Sequence, residues 1–211
     1  MKILRPIKNG IFFIIDSIRC AYLFHKMKKP VVSIFGGKYH KSEDFYPKKA
    51  FEMASLIVQN DMSVLTGGGP GIMSAANKAA SKRKDGLYSV GMLVQGMPED
   101  MSGAAQKHII LRSYYVRKWA MIRKPKAFVF FPGGYGTLDE FFDVSMFKQI
   151  KYITNGPIVL IGKEYWNPLV SWLEEKVYKN DLVASHERIN YFVTDDAGQA
   201  AEYIKKTLKN S

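Results

Sequence analysis

From Pro30 onward, short runs of β-branched and aromatic residues alternate with longer stretches whose apolar positions recur every three or four residues. Segments 31–35, 63–66, 88–94, 108–111, 127–131, 157–161 and 191–193 read as strands. Helical periodicity covers 47–60, with Ala50, Met53, Ala54, Ile57 and Val58 on one stripe and Pro47 in the first turn. It recurs over 72–83, over 113–124 up to the breaker Pro125, over 138–150 and over 167–179. A last helix runs to Leu208, opened by Asp196 and Gln199 at capping-box spacing. Strands this apolar, alternating with helices, imply a mostly parallel sheet buried on both faces. The expected fold is a doubly wound, Rossmann-like α/β domain over residues 30–211, preceded by a separate segment, 1–29.

Such folds take ligands outside the carboxyl ends of the strands. Three of the strands run into glycine-rich turns there: Gly36-Gly37, Thr66-Gly67-Gly68-Gly69-Pro70-Gly71 and Pro132-Gly133-Gly134-Tyr135-Gly136. The second turn fits neither the spacing of the dinucleotide fingerprint nor the phosphate loop that ends in Gly-Lys-Ser/Thr, which disfavours NAD binding and ATP hydrolysis. By itself it is a tight strand-to-helix turn.

The third turn continues into Thr137-Leu138-Asp139-Glu140. A glycine turn before a helix N-terminus offers unpaired backbone N–H groups to a phosphate. Thr137 and Glu140 stand at capping-box spacing, so a purely structural role is half of the reading. The other half is chemical: an acid in the first turn is held ionised by the helix dipole and suits a carboxylate that accepts a proton or stabilises a cation. Asp139 and Asp143 carry less weight, because early helical acids are common for the dipole alone. On the preceding helix Val116, Trp119, Ala120 and Ile122 suit the buried face, while Arg117 shares another stripe with Tyr114, Met121 and Lys124. Such an arginine is ordinarily solvated, yet this helix leads into the strand before the third turn.

Composition narrows the chemistry. The four histidines show no metal-ligand spacing, and with one cysteine a structural zinc site is excluded as a reading. No Ser-His-acid arrangement stands out, and no lysine is singled out as the Schiff-base partner of a pyridoxal cofactor. The lone Cys20 suits a reducing, cytoplasmic compartment. Net charge is +12 over 211 residues, and about half of the excess lies in residues 1–29: Lys2, Arg5, Lys8, Arg19, Lys26, Lys28 and Lys29 against Asp16. No zinc-finger or aromatic RNA-binding signature accompanies it, so nucleic acid is not expected as a partner. The apolar run Ile11-Phe12-Phe13-Ile14-Ile15 is interrupted by Asp16 and Arg19 before it reaches the ~20 residues of a membrane span. An amphipathic helix packed on the domain or on a partner subunit is the first reading of this segment, and a membrane-surface anchor the second.

Pro-Gly-Gly-Tyr-Gly-Thr-Leu-Asp-Glu at 132–140, preceded by Arg117-Lys118-x-x-Met121, resembles the Lonely Guy (LOG) family of nucleotide phosphoribohydrolases, often labelled lysine decarboxylases. Thr66-Gly67-Gly68-Gly69-Pro70-Gly71-Ile72-Met73 with Ala75-Ala76 matches the family's other glycine motif, and the resemblance spans about residues 31–205. It implies hydrolysis of the N-glycosidic bond of a purine nucleoside 5′-monophosphate, such as AMP or a cytokinin riboside 5′-monophosphate, to free base and ribose 5-phosphate. It places the family's catalytic pair on Arg117 and Glu140. It places binding residues on Gly67, Gly68, Gly69, Gly71, Met73 and Lys118, and the phosphate loop on Gly133, Gly134, Tyr135, Gly136 and Thr137. It implies no cofactor, no metal and a homodimer. Many relatives carry a small polar Gly-Ser-Ser turn after the first strand, where this chain has Gly36-Gly37-Lys38-Tyr39-His40, which leaves the base preference open. The alternative on the same fold is a non-catalytic nucleotide or molybdenum-cofactor carrier.

Overall fold

A computed structural model of the chain describes residues 4–96, 101–153 and 156–210. In order, the elements are α1 (Leu4–Lys26), β1 (Val31–Phe35), α2 (Phe45–Gln59), β2 (Ser63–Thr66), α3 (Ile72–Ala80), β3 (Ser89–Val94), β4 (Lys107–Leu111) and α4 (Tyr114–Arg123). There follow β5 (Ala127–Phe130), α5 (Tyr135–Gln149), β6 (Ile158–Ile161), α6 (Lys163–Trp172), β7 (Tyr191–Thr194) and α7 (Ala197–Lys209). The strands form one sheet in the order β4-β3-β2-β1-β5-β6-β7, every neighbouring pair parallel. The doubly wound α/β fold expected from the alternating pattern is the fold observed.

Burial explains the apolar runs. Alternate residues of each strand enter opposite cores: Val31 and Phe35 join Phe128 and Phe130 on the face covered by α1, α4, α5 and α6, while Val32 and Ile34 join Val129 on the face of α2, α3 and α7. With both faces covered, no strand position of β1, β2, β5 or β6 is left for water. Ser33, the polar exception in β1, is buried and donates its hydroxyl to the Met121 carbonyl at 2.7 Å, tying the last turn of α4 to the sheet.

Local signals misplace some boundaries. Helix α5 begins at Tyr135, not at Leu138: the carbonyl of Gly134 accepts the N–H groups of Thr137 and Leu138, and no side chain caps the helix. Thr137 therefore lies inside the first turn, and the Thr137–Glu140 capping box does not form. Helix α6 begins at Lys163 rather than near 167, because Asp195 accepts the Lys163 N–H at 2.8 Å, a cap supplied from far along the chain. It contains Pro168 and widens into a π-helical turn at Leu173–Tyr178. The box at α7 forms by half: Asp196 accepts from Gln199 N–H, but its own N–H goes to the Thr194 hydroxyl.

Helix α1 is braced to α4. The carboxylate of Asp16, 1% exposed, accepts the N–H groups of Arg112 and Ser113 at 2.7 and 2.9 Å and a bond from Arg19 at 3.2 Å. It thus sits at the positive end of α4, whose cap is the Ser113 hydroxyl accepting from Val116 N–H. Cys20, Leu23, Phe24 and Met27 fill the core beside it, and burial with the nearby Asp16 carboxylate pushes the Cys20 thiol up to about 11. Removing the carboxylate strands buried donors, so Asp16→Ala should lower unfolding stability by about 2 kcal/mol. Chemical denaturation monitored by far-UV circular dichroism reads this directly, and an unchanged midpoint would refute the brace.

Candidate functional site

The strand order reverses at β1, between β2 on one side and β5 on the other, so a crevice opens at the carboxyl ends of β1 and β5. The three glycine turns meet there and bond to one another. Gly37 N–H donates to the Pro132 carbonyl at 2.9 Å, and the Gly37 carbonyl accepts from Ile72 N–H at 3.2 Å. Close approach requires glycine at Gly71, whose φ is +66° and where a Cβ would lie 2.5 Å from the Gly37 carbonyl oxygen. Behind the second turn, Asn77 donates to the Thr66 hydroxyl at 2.7 Å, and that oxygen accepts the Gly68 N–H at 3.0 Å. The third turn is held from outside by the Tyr165 hydroxyl, which donates to the Gly133 carbonyl at 2.6 Å.

Between the turns lies a cavity of about 380 Å³. Of the residues singled out in the sequence, Gly67, Met73, Arg117, Gly134, Tyr135, Gly136, Thr137 and Glu140 line it. Gly68, Gly69, Gly71 and Gly133 shape the loops without lining the space. Lys118 is turned away: its ammonium bonds Asp139 and Asp143, both at 2.7 Å, on the outer side of α4 and α5. Burial opposes that charge, and the two carboxylates outweigh it and hold the lysine protonated. Asp139 and Asp143 are accounted for by this pairing.

Arg117 is not solvated. The stripe it shares with Tyr114 and Met121 faces the cavity, leaving the guanidinium 6% exposed, whereas Trp119, expected inside, is 42% exposed. The reason is position, since α4 packs against β3, where Met92 offers a carbonyl. Arg117 Nε donates to it at 2.9 Å. The guanidinium then faces Glu140, with Nη1 and Oε1 4.0 Å apart. Glu140 itself is in the second turn of α5, one turn further along than the sequence suggested, with its side chain mostly buried. Tyr114 stands beside the pair, and burial followed by the Glu140 carboxylate pushes its phenol above the usual range.

Gly36, Gly37, Lys38, Tyr39, Tyr114 and Met121 also line the cavity. Sequence reasoning did not assign them to the site. The signal was present for the turn after β1, which ends at the same sheet edge, and for Tyr114 and Met121, which share Arg117's helical stripe. Lys38 is the lysine that lines the cavity among the described residues, and its ammonium lies 5.2 Å from the ring of the exposed Tyr39. A pyridoxal cofactor would require a lysine set inside the pocket, and this arrangement does not fit one.

The model of the family described as "Possible lysine decarboxylase" matches residues 73–204, more than half of the chain. Over 162 residues the chain is 30% identical to a probable cytokinin riboside 5′-monophosphate phosphoribohydrolase, LOGL2, of Oryza sativa subsp. japonica. The chain belongs to this family, the LOG family. The rice alignment covers 75% of the chain and 65% of the relative, slightly under two thirds of its length. With the cytokinin riboside 5′-monophosphate phosphoribohydrolase LOG4 of Arabidopsis thaliana, identity is 26% over 185 residues, covering 86% of the chain and 83% of that relative. Among solved structures, the molybdenum cofactor binding protein of the phototrophic bacterium Rippkaea orientalis superposes with a TM-score of 0.63. It is 21% identical, and the match covers 86% of this chain and 98% of that one, a likeness of fold.

In this LOG-family chain Gly67 has a defined steric duty. A Cβ there would stand 2.5 Å from Arg117 Nη2 and 2.8 Å from Met73 Sδ. Gly67→Ala should therefore displace the guanidinium or the methionine and lower unfolding stability by about 1–3 kcal/mol. Chemical denaturation measures it, and an unchanged midpoint would show that the cleft has room for the methyl group.

Proposed function

We propose that the chain hydrolyses the N-glycosidic bond of a purine nucleoside 5′-monophosphate, AMP or a cytokinin riboside 5′-monophosphate, releasing the free base and ribose 5-phosphate. The observation that carries this reading is the buried Arg117–Glu140 pair at the strand-order switch, beside the amino terminus of α5. Family membership and the names of its relatives point the same way.

The chemistry follows from the placement. The 5′-phosphate meets the amino terminus of α5 at Tyr135 and Gly136, whose N–H groups lack helical acceptors, and beside Thr137, where the dipole favours negative charge. Arg117, fixed by the Met92 carbonyl, adds a cation aimed at the phosphate or ribose. Cleavage breaks the bond between C1′ and the base nitrogen, leaving the ring oxocarbenium-like. The Glu140 carboxylate stabilises that cation and orients the water whose oxygen bonds to C1′, while the base nitrogen gains a proton. Removal of water by the cavity walls strengthens both electrostatic terms.

A carrier of nucleotide or molybdenum cofactor on this fold needs the cradle but not a carboxylate opposite the arginine. The pair favours the hydrolase. A homodimer belongs to the same reading, formed through the apolar residues that α4 and α5 leave exposed, including Tyr115, Trp119, Phe142 and Met146. We place the chain in a reducing, cytoplasmic compartment, to which its one buried cysteine is suited.

Incubation with AMP should release adenine and ribose 5-phosphate, quantified by chromatography. Binding of a panel of purine monophosphates with no cleavage of any would establish the carrier instead. Glu140→Gln, which keeps a polar side chain opposite Arg117, should preserve the far-UV circular dichroism spectrum while turnover falls by roughly 10²–10³, a loss of about 3–4 kcal/mol of transition-state stabilisation. Retained turnover in this variant would remove Glu140 from the chemistry.

A further inference from the structure

Helix α1 precedes the matched family region and presents two apolar faces. One is docked, with Cys20, Leu23 and Phe24 buried in the core and Asp16 taken up by the backbone before α4. On the opposite face Ile11, Ile14, Ile15, Ile18 and Tyr22 succeed one another at helical spacing and are 43–64% exposed. A continuous apolar stripe of this kind marks a surface that something covers.

The charges around it choose the occupant. Asp16 is the one acid in residues 1–29, and its burial leaves the solvent side of α1 without negative charge. Bases stand near both ends of the stripe. Lys26 lies with its ammonium 5.5 Å from the Tyr22 ring, Arg112 stacks 4.4 Å over Phe12, and Lys28 and Lys29 follow the helix. A second copy laid on the stripe would bring these bases against their own counterparts, at a cost in repulsion. An anionic surface meets them with opposite charge.

We propose that α1 rests on anionic phospholipid bilayers, its isoleucine stripe at the boundary of headgroups and acyl chains and its flanking bases on lipid phosphates. The helix lies on the membrane and does not cross it: among the described residues no helix is long and apolar enough to span. The docked face supplies what an isolated peptide lacks, since Asp16 and the core residues hold the helix formed before contact, and no ordering cost falls on binding. This placement is independent of the chemistry proposed for the cleft.

The test is co-sedimentation of the full chain with vesicles of phosphatidylcholine alone or with about a third phosphatidylserine. The wild type should pellet with the anionic vesicles, weakly with the neutral ones, and less as salt rises. Ile14→Asp with Ile18→Asp, both at exposed positions, should lower partitioning at least tenfold with an unchanged circular dichroism spectrum. Lys26→Glu with Lys29→Glu, which leaves the stripe intact, should lower it by a similar factor on anionic vesicles only. Absence of binding to anionic vesicles, or binding by both double variants equal to that of the wild type, overturns the proposal. So does a wild-type dimer that the isoleucine variant converts to monomer in sedimentation velocity, which would make the stripe an interface between copies.

Discussion

A guanidinium removed from water must be satisfied within the protein, and the site of this LOG-family chain is arranged around that requirement at Arg117. The Met92 carbonyl in β3 takes its Nε, Glu140 on α5 balances its charge, and Gly67, just after β2, gives it room by having no side chain. Each partner comes from a different element. The geometry therefore exists only when β2, β3, α4 and α5 stand in their native places, and so a glycine pattern on one turn and a carboxylate on a distant helix belong to one device.

The helix carrying Arg117 is held at both ends by interactions that sequence patterning does not reveal. Its amino end receives the Asp16 carboxylate from α1, and its carboxyl end gives the Met121 carbonyl to Ser33 in β1. These bonds span 96 and 88 residues of chain, respectively. Both anchors are buried polar groups inside otherwise apolar layers, where a satisfied hydrogen bond fixes position in a way that hydrophobic contact alone does not. The N-terminal segment is thereby structural for the cleft as well as a surface in its own right.

The fold was largely legible because a sheet buried on both faces writes itself as apolar runs, and the glycine turns fall where parallel strands end. The site was legible in part. Arg117 and Glu140 were singled out through motif spacing, but their surroundings were not legible for a physical reason: periodicity reports which residues share a stripe, not what the stripe faces. Tyr114, Arg117 and Met121 do share one, and it faces a cavity, with Arg117 bonded to the Met92 carbonyl of β3. Lys118, adjacent in the motif, points the other way because successive residues on a helix diverge, and Asp139 and Asp143 are there to receive it.

The start of α5 shows how one boundary changes a mechanistic argument. With Leu138 as first residue, Thr137 and Glu140 would satisfy each other's backbone, and the glutamate would need no further purpose. With Gly134 providing the cap through its carbonyl, which takes the Thr137 and Leu138 N–H groups, Glu140 drops into the second turn, beyond the position a capping-box acid occupies. A carboxylate there, mostly buried and 4.0 Å from a buried guanidinium, is costly to keep if stability is its only return. The shift of three residues thus takes away the capping-box explanation of Glu140, whose carboxylate instead faces Arg117. The same boundary sets Tyr135, Gly136 and Thr137 on the cavity wall, so the lining of the cleft and the position of Glu140 both follow from where the helix starts.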